Sequence, residues 1–210
     1  LLYETYRTKK TEHPESVCHK LADEREHALS REDVKKLAEE LGHPRFDPHG
    51  DPIPSAAGEM PAKRGKILVE YPPGWAGRVV HINDEPPHHY SRIAKAGITT
   101  NSIVRIEKKD TREIIIRLEG LTFGFPIDAA AQITAVDLEA GESFDDSIER
   151  LSSLQAGEQA EIVGMSSLCR GLERNRLLDL GVPSYLIQST LIELSSTDTS
   201  ATSATQAPWL

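Results

Sequence analysis

Between residues 42 and 61 the chain places Gly or Pro at positions 42, 44, 48, 50, 52, 54, 58 and 61. No helix interior or central strand tolerates that density, because proline lacks a backbone donor and fixes φ while glycine weakens regular structure. Residues 43–63 are therefore an ordered loop or linker, and they divide the chain into two textures. Helical periodicity precedes them and short β-branched runs follow, which predicts an α+β protein.

The first part reads as two helices over 14–42. Pro14 suits a first helical turn, with Glu15 placed well against the positive helix end, and the pattern runs to about Leu29. Ser30 then reads as an N-cap, with Glu32 and Asp33 acidic in the first turn. Val34, Leu37, Ala38 and Leu41 recur at i, i+3, i+4 and i+7, and Gly42 is the natural stop.

Beyond residue 64, Lys66–Tyr71, Gly77–Ile82, Ser102–Glu107 and Glu113–Leu118 are strand-like, and Tyr90–Ala96 is a short helix stopped by Gly97. A small twisted barrel of five or so strands is the economical reading. The layout recurs: Arg92–Ile98 matches Arg176–Val182 in register, with strand-like Arg78–Ile82 and Gln159–Val163 before the helices and Ser102–Glu107 and Thr190–Leu194 after them. This is an internal repeat of one β module, its copies joined by an acidic connector at Leu138–Phe144. The first copy continues with Glu113–Leu118 and Gly124–Ile127, whereas the second runs into a Ser/Thr-rich stretch over 195–208 and reads as incomplete.

Composition narrows the functions. A net charge of −9 makes the bulk field repel DNA, so nucleic-acid contact needs a local patch or further sequence. Only Cys18 and Cys169 occur among 210 residues, which fits a reducing cytosol rather than a disulfide-stapled exterior. No apolar run approaches a membrane span and residues 1–14 lack a signal layout, so the expectation is a cytoplasmic chain without membrane insertion. The chain opens on Leu1 without Met and closes on Trp209–Leu210, and both ends read as cuts. No Ser/His/Asp arrangement, phosphate loop or dinucleotide fingerprint occurs, so no enzyme is expected.

The sharpest chemical feature is His19, Asp23, Glu26 and His27. At about 100° per residue their side chains fall within an arc of roughly 100° on one helix face. Two imidazoles and two carboxylates without thiolate suit Mn²⁺, Fe²⁺ or Zn²⁺. The same spacing, with Lys20, Glu24 and Arg25 around it, also describes a solvated face laced with ion pairs.

The run Cys18–Ser30, followed by a helix and by the loop that closes on Gly50–Pro54, resembles the dimerisation helix pair of DtxR/MntR-type metal-dependent repressors. The resemblance implies that Glu26 and His27 are core metal ligands, that Asp23 stands where relatives carry Glu or Cys, and that His19 is an additional ligand. An oxygen at Asp23 favours a harder ion, hence manganese over iron. Arg176–Gly181 and residues 151–158 resemble FeoA-type SH3-like domains. Such regulators begin with a winged helix, which nothing in this chain matches.

The expected organisation is a helical metal-binding and dimerisation segment over 1–62, an SH3-like barrel over 63–138 and a second, truncated one over 148–210. The expected function is a metal-responsive transcriptional regulator acting as a homodimer, with the operator reached only through a winged helix missing from this chain. The runner-up is a FeoA-type accessory protein contacting a ferrous iron transporter. His88 and His89, beside His81 in composition, read as exposed loop imidazoles, Arg105–Arg112 as a solvated hairpin turn, and Cys169 as a thiol without a poised base.

Overall fold

A computed structural model of the chain describes residues 1–10, 29–166, 169 and 171–182. The helical part contains α1 (Leu2–Lys10) and α2 (Arg31–Glu40). α2 starts on a capping box: Asp33 N–H donates to Ser30 Oγ at 3.2 Å, and Ser30 N–H donates to Asp33 Oδ2 at 3.2 Å. It ends in a Schellman cap, with Gly42 N–H donating to Glu39 O and His43 N–H to Ala38 O. Its apolar stripe is only partly covered within one chain. Val34 is 42% exposed, and Leu37, Ala38 and Leu41 are half-buried. The helix expected over 14–29 lies outside the described residues.

Strands β1 (Lys66–Ile67), β2 (Ala76–Ile82), β3 (Ile103–Lys109), β4 (Glu113–Leu118), β5 (Leu121–Pro126) and β6 (Ile133–Asp137) form one six-stranded sheet in the order β1-β6-β2-β3-β4-β5. All its pairings are antiparallel. Register shifts between Val79 and His81 and between Ile106 and Lys108 bend β2 and β3. Alternate residues point inward: Val79, Val104, Ile106, Ile114, Ile116, Leu118, Phe125 and Ile133 are buried in one core. Helix α3 (Pro87–Lys95) caps that core with Tyr90 and Ile93, and the short α4 (Ile127–Ala130) joins β5 to β6. This is the SH3-like module expected to follow the loop.

Several local expectations shift. Only Lys66–Ile67 of the run 66–71 is a strand. The chain then tightens into a 3₁₀ turn that seals Leu68 in the core. β5 starts at Leu121 rather than Gly124. β6 was not foreseen, yet it is the strand that joins β1 to β2. α3 starts three residues before Tyr90, where Pro87 takes the first turn.

Among the described residues the second half of the repeat agrees with the first at its helix. α5 (Gly171–Asp179) closes with Gly181 N–H to Leu178 O and Val182 N–H to Leu177 O, matching Gly97 to Ala94 and Ile98 to Ile93 at the end of α3. Residues 159–163, read as a strand, carry no regular secondary structure. A strand exists only where a neighbour completes its ladder, and the expected partner at 190–194 lies outside the described residues. Among the described residues no helix is long and apolar enough to cross a membrane.

Candidate functional site

The four side chains singled out as ligands, His19, Asp23, Glu26 and His27, lie outside the described residues. Among the described residues no group of three or more His, Cys, Asp or Glu is arranged to hold a metal ion. What the structure does define is how α1, which precedes them in the chain, is fastened to the SH3-like sheet.

The fastening is built from the Pro/Gly loop. Asp47 folds it: its Oδ1 accepts the N–H groups of His49 at 2.9 Å and Asp51 at 2.8 Å, an Asx-type arrangement that turns the chain in a few residues. Asp47 N–H donates to Asp51 O, Ile53 N–H to Arg45 O, and Phe46 bridges Pro52. The result is a tight hairpin rather than a slack linker. Its tip rests on β2, where Ile82 N–H donates to His49 O at 2.8 Å and Thr100 Oγ1 donates to Pro48 O at 3.1 Å. Gly50 makes that approach feasible. It holds φ at +91°, and a Cβ there would sit 2.1 Å from the Val80 carbonyl oxygen.

From this tip His49 reaches the other way, into the helical segment. Its Nε2 lies 3.0 Å from Oε1 of Glu4 on α1. Glu4 is 1% exposed and His49 3%. The His49 ring also packs edge-on against Tyr90 of α3, with centroids 4.9 Å apart. One side chain thus touches α1 and α3, while its own backbone bonds β2. A buried carboxylate is tolerated only with such partners.

A second, wetter layer flanks the joint. Asp51 lies 3.1 Å from Lys63 Nζ and 3.4 Å from His81 Nε2. Burial pushes the Asp51 carboxyl up, but Lys63 and His81 outweigh it and hold it below the ordinary carboxylate range. Burial dominates at His81, whose imidazole is held below its usual value despite Asp51. Burial also raises Asp47, against the N–H groups it accepts.

Of the other imidazoles, His81 belongs to this layer, whereas His88 and His89 sit in the first turn of α3, their rings 4.0 Å apart, with His89 Nε2 3.8 Å from Asp128. Sequence reasoning gave Glu4 no role and treated His49 and Asp47 only as part of a loop motif. The available signal was a charged triad, Asp47, His49 and Asp51, spaced by two inside a Pro/Gly loop, which is a poor composition for a solvated linker.

Comparison with known proteins bears on this architecture. Residues 1–55 match the family model described as iron dependent repressor, metal binding and dimerisation domain. No curated protein sequence matches the chain. Among solved structures, a manganese-dependent transcriptional repressor in complex with manganese is 31% identical, with TM-score 0.61 over 65% of this chain and 67% of that one. Another structure of a manganese-dependent transcriptional repressor is 30% identical, with TM-score 0.58 over 65% of this chain and 77% of its own. The T. acidophilum IdeR structure shares the fold at 20% identity and TM-score 0.59, over 65% of this chain and 63% of that one. On these matches the chain belongs to the DtxR/MntR family of metal-dependent transcriptional repressors.

Proposed function

We propose that this chain is the sensing and dimerisation part of a cytoplasmic, metal-responsive repressor, with Asp23, Glu26 and His27 as the ligands of one divalent ion and His19 as an additional ligand. The donor set supports this reading. Two imidazoles and two carboxylates at helical spacing in the sequence suit a borderline-to-hard ion, and Asp23 in place of a thiolate favours Mn²⁺ over Fe²⁺. The two manganese-dependent repressors at 30–31% identity point the same way, although a neighbour named ScaR was solved with Zn²⁺ and with Cd²⁺. The repressor matches favour a regulator over a transport accessory and over an enzyme.

The observation that carries the mechanism is the Glu4–His49 contact. It ties the helical segment to the sheet through a sealed polar pair, so an ion that shifts the helices shifts both units together. Binding then favours one arrangement of a homodimer by linkage. The half-covered stripe Val34, Leu37, Ala38 and Leu41 is the surface such a dimer would close. The operator is reached through a winged helix, which the described residues do not include.

Calorimetry tests the ligand set. Mn²⁺ should bind the chain, and Glu26→Gln with His27→Ala should abolish most of that binding. Affinity should also fall below about pH 6, because an imidazole ligates only when neutral. Unchanged affinity in the double variant would remove the site.

A further inference from the structure

The outer face of the sheet carries an arginine stripe. The β3–β4 register sets Arg105 directly opposite Arg117, and the β2–β3 register places Arg78 on the diagonal from Arg105. Like charges facing each other across a ladder oppose strand pairing unless something anionic lies between them. The anionic partners come from one segment, the connector that follows β6. Glu142 pairs with Arg78, the Asp146 carboxylate pairs with Arg105, and Arg117 Nη2 donates to the Asp146 carbonyl at 3.2 Å. The Arg105 guanidinium also lies 5.6 Å from the centre of the Phe144 ring. The next contact is steric, with the Ile148 carbonyl so close to Gly120 that a Cβ there would meet it at 2.7 Å.

These contacts fall on 142, 144, 146 and 148 of a connector that turns at 146–147, where Ser147 N–H donates to Asp145 Oδ1. The connector lies on the sheet through the side chains of Glu142, Phe144 and Asp146 and the carbonyls of Asp146 and Ile148, and is no strand of it. Past it, Arg150 Nη2 stands 3.6 Å from Glu119, and Ser166 Oγ donates to the same carboxylate at 2.6 Å, so the path toward α5 is moored at one edge.

We propose that residues 138–150 are a displaceable latch, the resident occupant in cis of an arginine-lined docking face that recognises an acidic chain segment with an aromatic between its carboxylates. Ion pairs of this exposure are individually weak and screened by salt, so the attachment is reversible by construction. The stacked Phe144 and half-buried Ile148 select a peptide over a phosphodiester backbone, which offers no apolar side chain, and the net charge of −9 disfavours nucleic acid as well. Release opens the face to a competing acidic segment, while Ser166 still holds the chain beyond Arg150 to Glu119. This inference stands apart from the metal site and uses none of its residues.

The test uses a fluorescent peptide of residues 138–152 and the full chain, followed by anisotropy. The peptide should bind E142Q/D146N at least tenfold more tightly than wild type, because the resident occupant is weakened. Adding R105Q should abolish the gain, and raising NaCl from about 0.05 to 0.5 M should weaken binding at least tenfold. In parallel, trypsin cleavage after Arg150, relative to cleavage after Arg64, should rise severalfold with salt in wild type and already at low salt in E142Q/D146N. Equal peptide affinity for wild type and E142Q/D146N, or a cleavage ratio that neither salt nor the substitutions move, overturns the latch. Preference of E142Q/D146N for a short DNA duplex over the peptide overturns the assignment of the face to an acidic peptide.

Discussion

Oε1 of Glu4 and Nε2 of His49 meet at 3.0 Å across the boundary between helix and sheet, both side chains sealed from water. Loss of either one removes a charge-assisted contact from a place that water does not reach. Replacing one partner alone, as Glu4→Leu or His49→Leu, should cost about 3–5 kcal/mol. The double replacement should cost clearly less than the sum, since the contact between the two is lost only once. Urea unfolding of the four proteins measures both quantities, and additive losses would show that the two side chains act independently.

Gly50→Ala should damage the same joint from the backbone side. The new Cβ overlaps the Val80 carbonyl oxygen and the residue is held at φ +91°. Strain of that kind costs roughly 1–3 kcal/mol before the loop moves, and the loop must also withdraw from β2. Gly58→Ala, in a loop with open space around it though at φ +82°, is the control and should lose less. Thermal unfolding of the pair decides, and equal losses would place the cost in φ alone.

Acid should loosen the chain in two stages. His81 is held below the usual imidazole value by burial, so the unfolded chain binds the proton more readily. Its contribution is therefore complete above the unfolded value of about 6.5 and declines as pH falls below it. Asp51, held low by Lys63 and His81 against its burial, contributes above its unfolded value of about 3.9 and is lost only as pH drops beneath that. Urea midpoints between pH 7 and 5.5 should fall in wild type and fall less in His81→Gln. Parallel slopes would assign the decline to other groups.

Association should depend on α2. Val34 is a large apolar side chain left 42% exposed on a ten-residue helix, a length that is not stable by itself in water. At tens of micromolar with Mn²⁺ present, light scattering should report a dimer, and Val34→Asp should shift it toward monomer. A wild-type monomer under those conditions would contradict the two-fold interface.

Operator binding should be absent from these 210 residues by themselves. Arg78 and Arg105 are already paired with carboxylates, Arg117 donates to the Asp146 carbonyl, and the net charge is −9. Neutralising several phosphates requires free cationic groups along a groove-sized element. Fluorescence anisotropy against a palindromic duplex at physiological salt should show no tight specific binding, with or without Mn²⁺. A form carrying a winged helix ahead of Leu1 should bind with metal.

Features decided within a few residues were legible in the chain. Ser30 and Gly42 bracket α2 as read, Glu113–Leu118 is a strand at the expected bounds, and Gly97 and Gly181 end their helices with the same cap. Features decided at long range were not. Ile133–Asp137 is β-branched enough to be a strand, yet its insertion between β1 and β2 depends on partners more than fifty residues away. Glu4 looks like any helical acid until His49, 45 positions later, closes over it. Arg105 reads as part of a solvated basic run because the carboxylate that covers it belongs to residue 146.

The strand order also bears on how the chain is made. β2 cannot gain its second neighbour until Ile133–Asp137 exists, and β1 has no partner at all before then. While the ribosome is still short of that point, the emerging polypeptide carries raw β edges that invite pairing with other nascent chains. A message broken before the codon for Asp137 therefore yields a product that is sticky rather than merely shorter, and the cell's proteases meet it with those edges open.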